Sequence, residues 1–236
     1  LLSLPEHQRK QLLDGNWDIN EGAAFPEFDR SIHVVEPYDI PRSWARFRAC
    51  DYGYGSYTGV LWIAVSPNEQ LVVYRELYCS KITATDLADM IIEAESNDGT
   101  MRYGVLDSSL WHKRGDTGPS LAEQMIVRGC KWRPSDRSRG SRVAGKNELH
   151  RRLQVDEHTE EPRLVIFNNC TQLISQLPSL PLDKKNPEDV DTHASDHAYD
   201  ALRYMIMSRP RMESPLERIR GLKREMYKPV DATFGY

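Results

Sequence analysis

The sequence contains no apolar run near the ~20 residues that a membrane-spanning helix needs, which argues against a transmembrane segment. Its opening, Leu1-Leu2-Ser3-Leu4-Pro5-Glu6, turns polar too soon to read as a secretory leader. An initiator Met is missing as well, so a fragment of a longer protein is expected. Cysteine is scarce. Cys50, Cys79, Cys130 and Cys170 lie far apart with no C-x-x-C pair, which disfavours a zinc knuckle and fits free thiols in a reducing compartment. There is no internal repeat, so a solenoid is not expected. An excess of positive charge is also absent: the net charge is −4, which by itself does not advertise nucleic-acid binding.

What is present is a chain of 236 residues, 39% hydrophobic and 28% charged, enough for one globular domain of roughly 150–200 residues with extensions. The charge is unevenly spread. Between Arg128 and Arg152 lie Arg128, Lys131, Arg133, Arg137, Arg139, Arg142, Lys146, Arg151 and Arg152, against only Asp136 and Glu148. One strongly basic segment in an acidic chain implies a polarised surface.

The chain divides at about residues 45 and 210. Residues 1–44 read as a lead-in draped on the next domain, with a helical turn or two over Gln8–Leu13, a turn at Asp14–Trp17, and Pro26, Pro37 and Pro41 punctuating the rest. The centre of the pattern is Ala45–Val65. Its first half alternates as a strand ending at Asp51, a turn follows over Tyr52–Gly55, and Thr58–Val65 is a second strand rich in β-branched residues. Leu71–Tyr78 completes an antiparallel meander. Thr83-Ala84-Thr85-Asp86 caps a helix carrying Leu87, Met90, Ile91 and Ala94 at helical spacing, stopped at Asn97-Asp98-Gly99. Tyr103–Leu106 is a strand that ends at Asp107, and a helical crossover before it implies parallel pairing with an earlier strand. A helix opens at Gly118-Pro119-Ser120 and closes at Gly129, and Cys130-Lys131-Trp132 is read as a fifth strand. A basic, exposed loop spans 133–145. Asn147–Val155 is expected as a helix, Leu164–Phe167 as a strand, Thr171–Leu177 as a short helix, and His193–Met207 as an amphipathic helix with the stripe Ala194, Ala198, Ala201, Leu202, Met205, Ile206. Residues 210–236 form a polar tail.

This β-β-β-α-β-α-β-α order predicts an α/β domain: a central mixed sheet, the meander plus parallel strands, flanked by helices. The fourth strand should lie beside the first, bringing Asp107 next to Asp51. On the last helix His197, Asp200 and Tyr204 share one flank, and Asp196 shares a row with Asp200 at i, i+4. Converging carboxylates repel one another unless cations neutralise them. Hard oxygen ligands suit Mg²⁺ or Mn²⁺, and two such ions ~3.5–4 Å apart can hold a phosphodiester for in-line attack by water. Plainer readings compete. Asp51 is also an ordinary turn residue, Asp107 an ordinary helix cap, Asp196–Asp200 an ordinary solvated face, and His197 an ordinary surface histidine.

Three strings resemble the C-terminal nuclease domain of the large terminase subunit of tailed bacteriophages, an RNase H-like fold. They are Ala49-Cys50-Asp51-Tyr52-Gly53, Val105-Leu106-Asp107-Ser108-Ser109 and Ser195-Asp196-His197-Ala198-Tyr199-Asp200-Ala201-Leu202-Arg203-Tyr204. The resemblance covers about 45–209, and Glu21-Gly22-Ala23-Ala24-Phe25 resembles the family's link from ATPase to nuclease. It implies a metal-dependent endonuclease that cuts concatemeric viral double-stranded DNA during packaging, using two divalent ions, Mg²⁺ or Mn²⁺. Asp51 and Asp107 would be catalytic metal ligands. A third ligand would come from Asp196, His197 or Asp200, with Asp200 favoured and Asp196 or His197 assisting. Arg133, Arg137, Arg139, Arg142, Lys146, Arg151 and Arg152 would contact DNA phosphates. The resemblance further implies the host cytoplasm as location, portal protein and small terminase subunit as partners, and oligomers only in the full-length motor.

The rival readings are another RNase H-like nuclease of resolvase or transposase type, and a non-catalytic docking module. Gly140–Asn147 comes within one residue of a phosphate-binding P-loop, but Asn147 replaces the Mg²⁺-binding Ser/Thr and no apolar strand precedes it, so no ATPase site is expected.

Overall fold

The computed structural model describes residues 22–113, 118–156, 161–191 and 193–208. The helical turn expected over Gln8–Leu13, the turn at Asp14–Trp17 and the polar tail 210–236 lie outside the described residues.

Among the described residues seven strands form one mixed sheet. They are β1 (Val34–Val35), β2 (Ala45–Asp51), β3 (Tyr57–Val65), β4 (Leu71–Ser80), β5 (Met101–Leu106), β6 (Trp132–Pro134) and β7 (Leu164–Phe167), in the spatial order β1-β7-β4-β3-β2-β5-β6. The meander β2-β3-β4 is antiparallel, and every other pairing is parallel. The apolar run of β3 is buried from Thr58 to Val65, as expected of a strand covered on both faces. The adjacency predicted for the two acid-bearing strands is present: β5 lies parallel beside β2, with Cys50 opposite Leu106.

Among the described residues six α-helices accompany the sheet: α1 (Arg30–His33), α2 (Ala84–Ala94), α3 (Leu121–Val127), α4 (Ser141–Leu153), α5 (Thr171–Gln176) and α6 (His197–Ser208). Thr83 caps α2, and Ser120 with Glu123 forms a capping box on α3, as the sequence signals. Arg48 and Asp51, three residues apart on β2, face opposite sides of the sheet. On the Arg48 side, the guanidinium is buried and bonds both oxygens of Glu95 at 2.8 and 2.7 Å. Glu95 also accepts from Trp62 Nε1 at 2.9 Å, so the buried indole N–H is satisfied. On the Asp51 side, α6 packs across β2, β3 and β5, and α4 packs on α6.

Two glycines allow these approaches. A Cβ on Gly145 would lie 2.6 Å from Arg203 Cγ, so α4 meets α6 closely there. A Cβ on Gly59 would lie 3.0 Å from the His197 carbonyl oxygen and 3.2 Å from Ala198 Cα, and Gly59 is the cross-strand partner of Asp51.

The sequence reading departs from the structure at several ends. Residues 22–35 are more than a drape: Ala24, Phe25 and Phe28 are buried, and β1 pairs with β7. Helix α4 begins at Ser141, not Asn147, so the loop expected over 133–145 is shorter. The amphipathic signal is weak because its buried side includes Ser141, Lys146, Glu148 and Arg152 as well as Leu149 and Leu153. Helix α6 begins at His197 rather than His193, because Asp191 accepts from His193 N and Ala194 N bonds the Asp191 carbonyl in a turn.

Candidate active site

The acids meet at the C-terminal ends of β2 and β5, where α6 begins. Asp51 is the last residue of β2. Asp107 follows β5, and its N–H donates to the Cys50 carbonyl at 3.3 Å, which holds the two strand ends side by side. Asp196 and Asp200 bracket the first turn of α6: the Asp196 carbonyl accepts the Asp200 N–H at 2.7 Å. All four line one cleft of about 640 Å³ together with Asp189, Arg137, Arg142, His197, Arg203 and Tyr204.

Each carboxylate is held by named partners. Asp51 Oδ2 lies 2.8 Å from His197 Nδ1, and Tyr204 donates its hydroxyl to Oδ1 at 3.2 Å. His197 and Tyr204 lie on the same helical flank, so two turns of α6 orient one strand-end acid. Burial raises the Asp51 pKa, the His197 bond opposes that rise, and Asp200 adds to it. The His197 pKa is raised, chiefly by its bond to Asp51, with burial opposing the rise. Asp107 caps the short 3₁₀ turn Ser108–Trp111: it accepts from Ser109 N at 3.1 Å and from Ser109 Oγ at 2.5 Å. The capping role expected of an ordinary aspartate is therefore real, and it leaves Asp107 on the cleft wall. Arg137 approaches it at 3.7 Å. Asp200 accepts from Arg203 Nε at 2.9 Å. Asp196 is pushed up to about 7, first by burial and then by the neighbouring Asp200 charge, with Arg142 opposing.

Arg142 joins these acids from α4. Its Nε donates to Asp189 at 2.9 Å, and its terminal nitrogens stand 3.5 Å from Asp200 and 3.9 Å from Asp196. Burial works against its charge, but Asp200 and Asp189 outweigh that and raise its pKa.

The basic residues singled out from the sequence therefore divide. Arg137 and Arg139 are exposed on the short loop beside the cleft, and Arg142 turns into it. Arg133 is exposed but stacks over Tyr103 at 4.0 Å, and opens on a separate hollow with Phe47 and Arg102. Arg151 is exposed and pairs with Glu148 at 3.3 Å. Lys146 and Arg152 are buried, Arg152 against Glu148 at 3.0 Å, so neither offers a surface to a phosphate chain. Sequence reasoning missed Asp189 and Arg203. Arg203 stands three residues after Asp200 and was legible as an i, i+3 pair; Asp189 sits in an aperiodic proline-bounded loop and carries no local signal.

All four acids offer hard carboxylate oxygens, which is the donor chemistry of Mg²⁺ or Mn²⁺. Among the described residues, however, no three His, Cys, Asp or Glu side chains close into a ready-made metal cage. The acids line one cleft, each facing an arginine, histidine or tyrosine partner. The donor set fits a divalent cation; its present arrangement is that of acids neutralised from within.

Neither a family model nor a curated protein matches this chain. Solved structures do. The nuclease domain of the P22 large terminase aligns with 81% of this chain and 94% of its own, with a TM-score of 0.64 at 18% identity. A large terminase from a thermophilic bacteriophage, solved in complex with ADP, aligns with 89% of this chain and 53% of its own, with a TM-score of 0.66 at 18% identity. The chain thus spans about half the length of that protein. The cobalt-bound large terminase nuclease of the thermophilic phage G20c aligns with 78% of this chain and 96% of its own, with a TM-score of 0.55 at 12% identity. At such identities the likeness establishes the fold: this chain has the RNase H-like architecture of large terminase nuclease domains.

Proposed function

We propose that this chain is the nuclease part of a terminase-like DNA-packaging protein, a divalent-metal-dependent endonuclease that cuts concatemeric viral double-stranded DNA. The observation that carries this reading is the convergence of Asp51, Asp107, Asp196 and Asp200, from two strand ends and one helix start, in one cleft of about 640 Å³. The fold shared with terminase nuclease domains supports it, and so does the cobalt in one of those structures.

Asp51, Asp107 and Asp200 would hold the metal, with Asp196 assisting and Mg²⁺ or Mn²⁺ as the expected ions. Bound in a pair, such ions supply positive charge to the phosphate and to the attacking and leaving oxygens of a hydrolytic cut. The chain's own residues supply orientation. Tyr204 and His197 fix the Asp51 carboxylate from two sides, and Arg203 fixes Asp200. Ser109 fixes Asp107. A strongly held carboxylate needs no rearrangement at the moment of reaction. Arg137 and Arg139, exposed beside the acids, would draw the DNA backbone to them, which gives affinity with little sequence preference. The region 45–209 would act as the catalytic unit, with the preceding residues as the connection to a motor domain. The host cytoplasm during infection is the expected location, with portal protein and small terminase subunit as partners.

Plasmid cleavage by this chain tests the reading. Nicking and linearisation with Mn²⁺ or Mg²⁺, abolished by EDTA and by Asp51→Asn, is the expected result. A folded sample that leaves the plasmid intact with either metal would overturn it.

A further inference from the structure

Arg142 sets its guanidinium among three carboxylates of the cleft. One guanidinium faces Asp189, Asp196 and Asp200, but only the Asp189 contact, 2.9 Å from Nε, is a tight hydrogen bond. Nη2 is buried and makes no hydrogen bond, so part of its donor capacity is unused. The backbone aims it there. Gly140 takes the left-handed conformation at φ 85°, Ser141 turns inward, and Arg142 follows on the first turn of α4.

The other cations around the acids are placed differently. Arg203 is buried and tied to Asp200 at 2.9 Å in the same helix. His197 belongs to Asp51. Arg137 is more than half exposed and stands 3.7 Å from Asp107. Arg142 alone among these spans two of the acids proposed to hold metal, Asp196 and Asp200, while arriving from a different element. Arginine does not lose its proton under ordinary conditions, so it leaves an acid only by swinging away. Its fork suits phosphate as well as carboxylate.

We propose that Arg142 is an exchangeable internal counter-ion. In the metal-free chain it neutralises Asp196 and Asp200. It moves to a DNA phosphate when a divalent cation is held by those acids. This inference rests on the metal-nuclease reading of the cleft. It makes metal and DNA mutually supporting ligands, because each favours the position of Arg142 that the other requires, and such linkage is reciprocal. Without DNA the acids stay occupied from within and hold metal weakly. Premature cutting would thereby be restrained without any moving lid.

The test is calorimetric titration of the whole chain with Mn²⁺ in the absence of DNA. Arg142→Gln should bind Mn²⁺ at least ~5-fold more tightly than wild type, the lower end of the roughly 5–150-fold range of site–site coupling. Arg142→Lys, which keeps the charge but loses the fork, should fall between, and it serves as the readable variant should Gln fold poorly. Arg128→Gln, at an exposed pair with Asp89 outside the cleft lining, should leave Mn²⁺ affinity unchanged. In EDTA, Arg142→Gln should melt below wild type, because acids lose their counter-ion; with saturating Mn²⁺ the gap should close. A purely structural Arg142 would lower melting in both conditions and would not tighten Mn²⁺, and that result overturns the proposal. Absence of Mn²⁺ uptake sensitive to Asp51→Asn in both wild type and Arg142→Gln would overturn the metal reading itself and this inference with it. Wild-type uptake with unchanged affinity in both Arg142 variants would overturn this inference alone.

Discussion

Replacing Asp196 with Asn should stabilise the metal-free chain, and the gain should grow with pH. Asp196 is buried before α6, and its carboxyl is pushed up from 3.8 to about 7, first by burial and then by Asp200. In the unfolded chain this group ionises near its ordinary value. In the folded chain it keeps its proton until near neutrality. Between those two points the folded state binds more protons, so stability falls as pH rises. The penalty is absent below the unfolded value and complete above about 7. A shift of roughly 3 units corresponds to a ceiling of about 4 kcal/mol, at about 1.36 kcal/mol per unit. Residual solvent contact and the nearby Arg142 reduce it, and about 1–2 kcal/mol is a reasonable expectation. For a domain of this size that is a rise of about 2–8 °C in Tm. The assay is thermal melting of wild type and Asp196→Asn in EDTA, at about pH 5.5 and about pH 8.5. Asn carries no charge at either pH, and pH 5.5 lies about midway between the unfolded and folded values, so the difference between the proteins in the acid sample should be about half that in the alkaline one. An equal difference at both values, or a less stable variant at the higher one, would refute the reasoning.

Asp51→Asn should reduce Mn²⁺-dependent plasmid cleavage at least ~100-fold, since loss of a central electrostatic element costs about 2.7 kcal/mol or more. The thermal shift that Mn²⁺ gives wild type, about 2.7 kcal/mol at 100-fold above its Kd, should shrink in the same variant; a full shift would remove Asp51 from the metal site. Asp200→Ala should cost more cleavage than His197→Ala, because an anionic oxygen neutralises a hard cation better than an imidazole; the reverse ranking would move the ligand to His197. Changing Arg137 and Arg139 together to Ala should lower DNA affinity and reduce the slope of log affinity on log salt by about 2, with little change in Tm; an unchanged slope would take this loop off the DNA path.

Much of the site was legible because strands and helices repeat at fixed intervals. The alternation through Ala45–Asp51 and the helix between meander and fourth strand predicted the neighbouring ends of β2 and β5. The seven-residue interval from His197 to Tyr204 predicted their common flank, and both side chains reach Asp51. What could not be read lacks periodicity. Two residues of β1 are too few for a strand pattern. Helix α4 hides behind Gly140-Ser141-Arg142 because polar side chains, satisfied by ion pairs such as Glu148 with Arg152, occupy much of its buried face. For the same reason Arg142 was read as part of an outward basic loop, whereas Asp189, from a loop 47 residues away, draws it inward. The pairing depends on tertiary contact alone, and no local rule contains it.

Gly59 has a further consequence. The acids ride on two elements, the sheet and the α6 end that packs on it, and something must set the gap between them. Here a missing atom sets it. Strand β3 touches the first residues of α6 backbone to backbone, with less room than a Cβ requires. Side chains can absorb a misfit by changing rotamer, but backbones in register cannot. The close approach of this strand to the helix that carries His197 and Asp200 therefore depends on a residue with no chemistry of its own. A methyl group there would require strand or helix to give by a few tenths of an ångström, at the end of the helix where the functional groups begin.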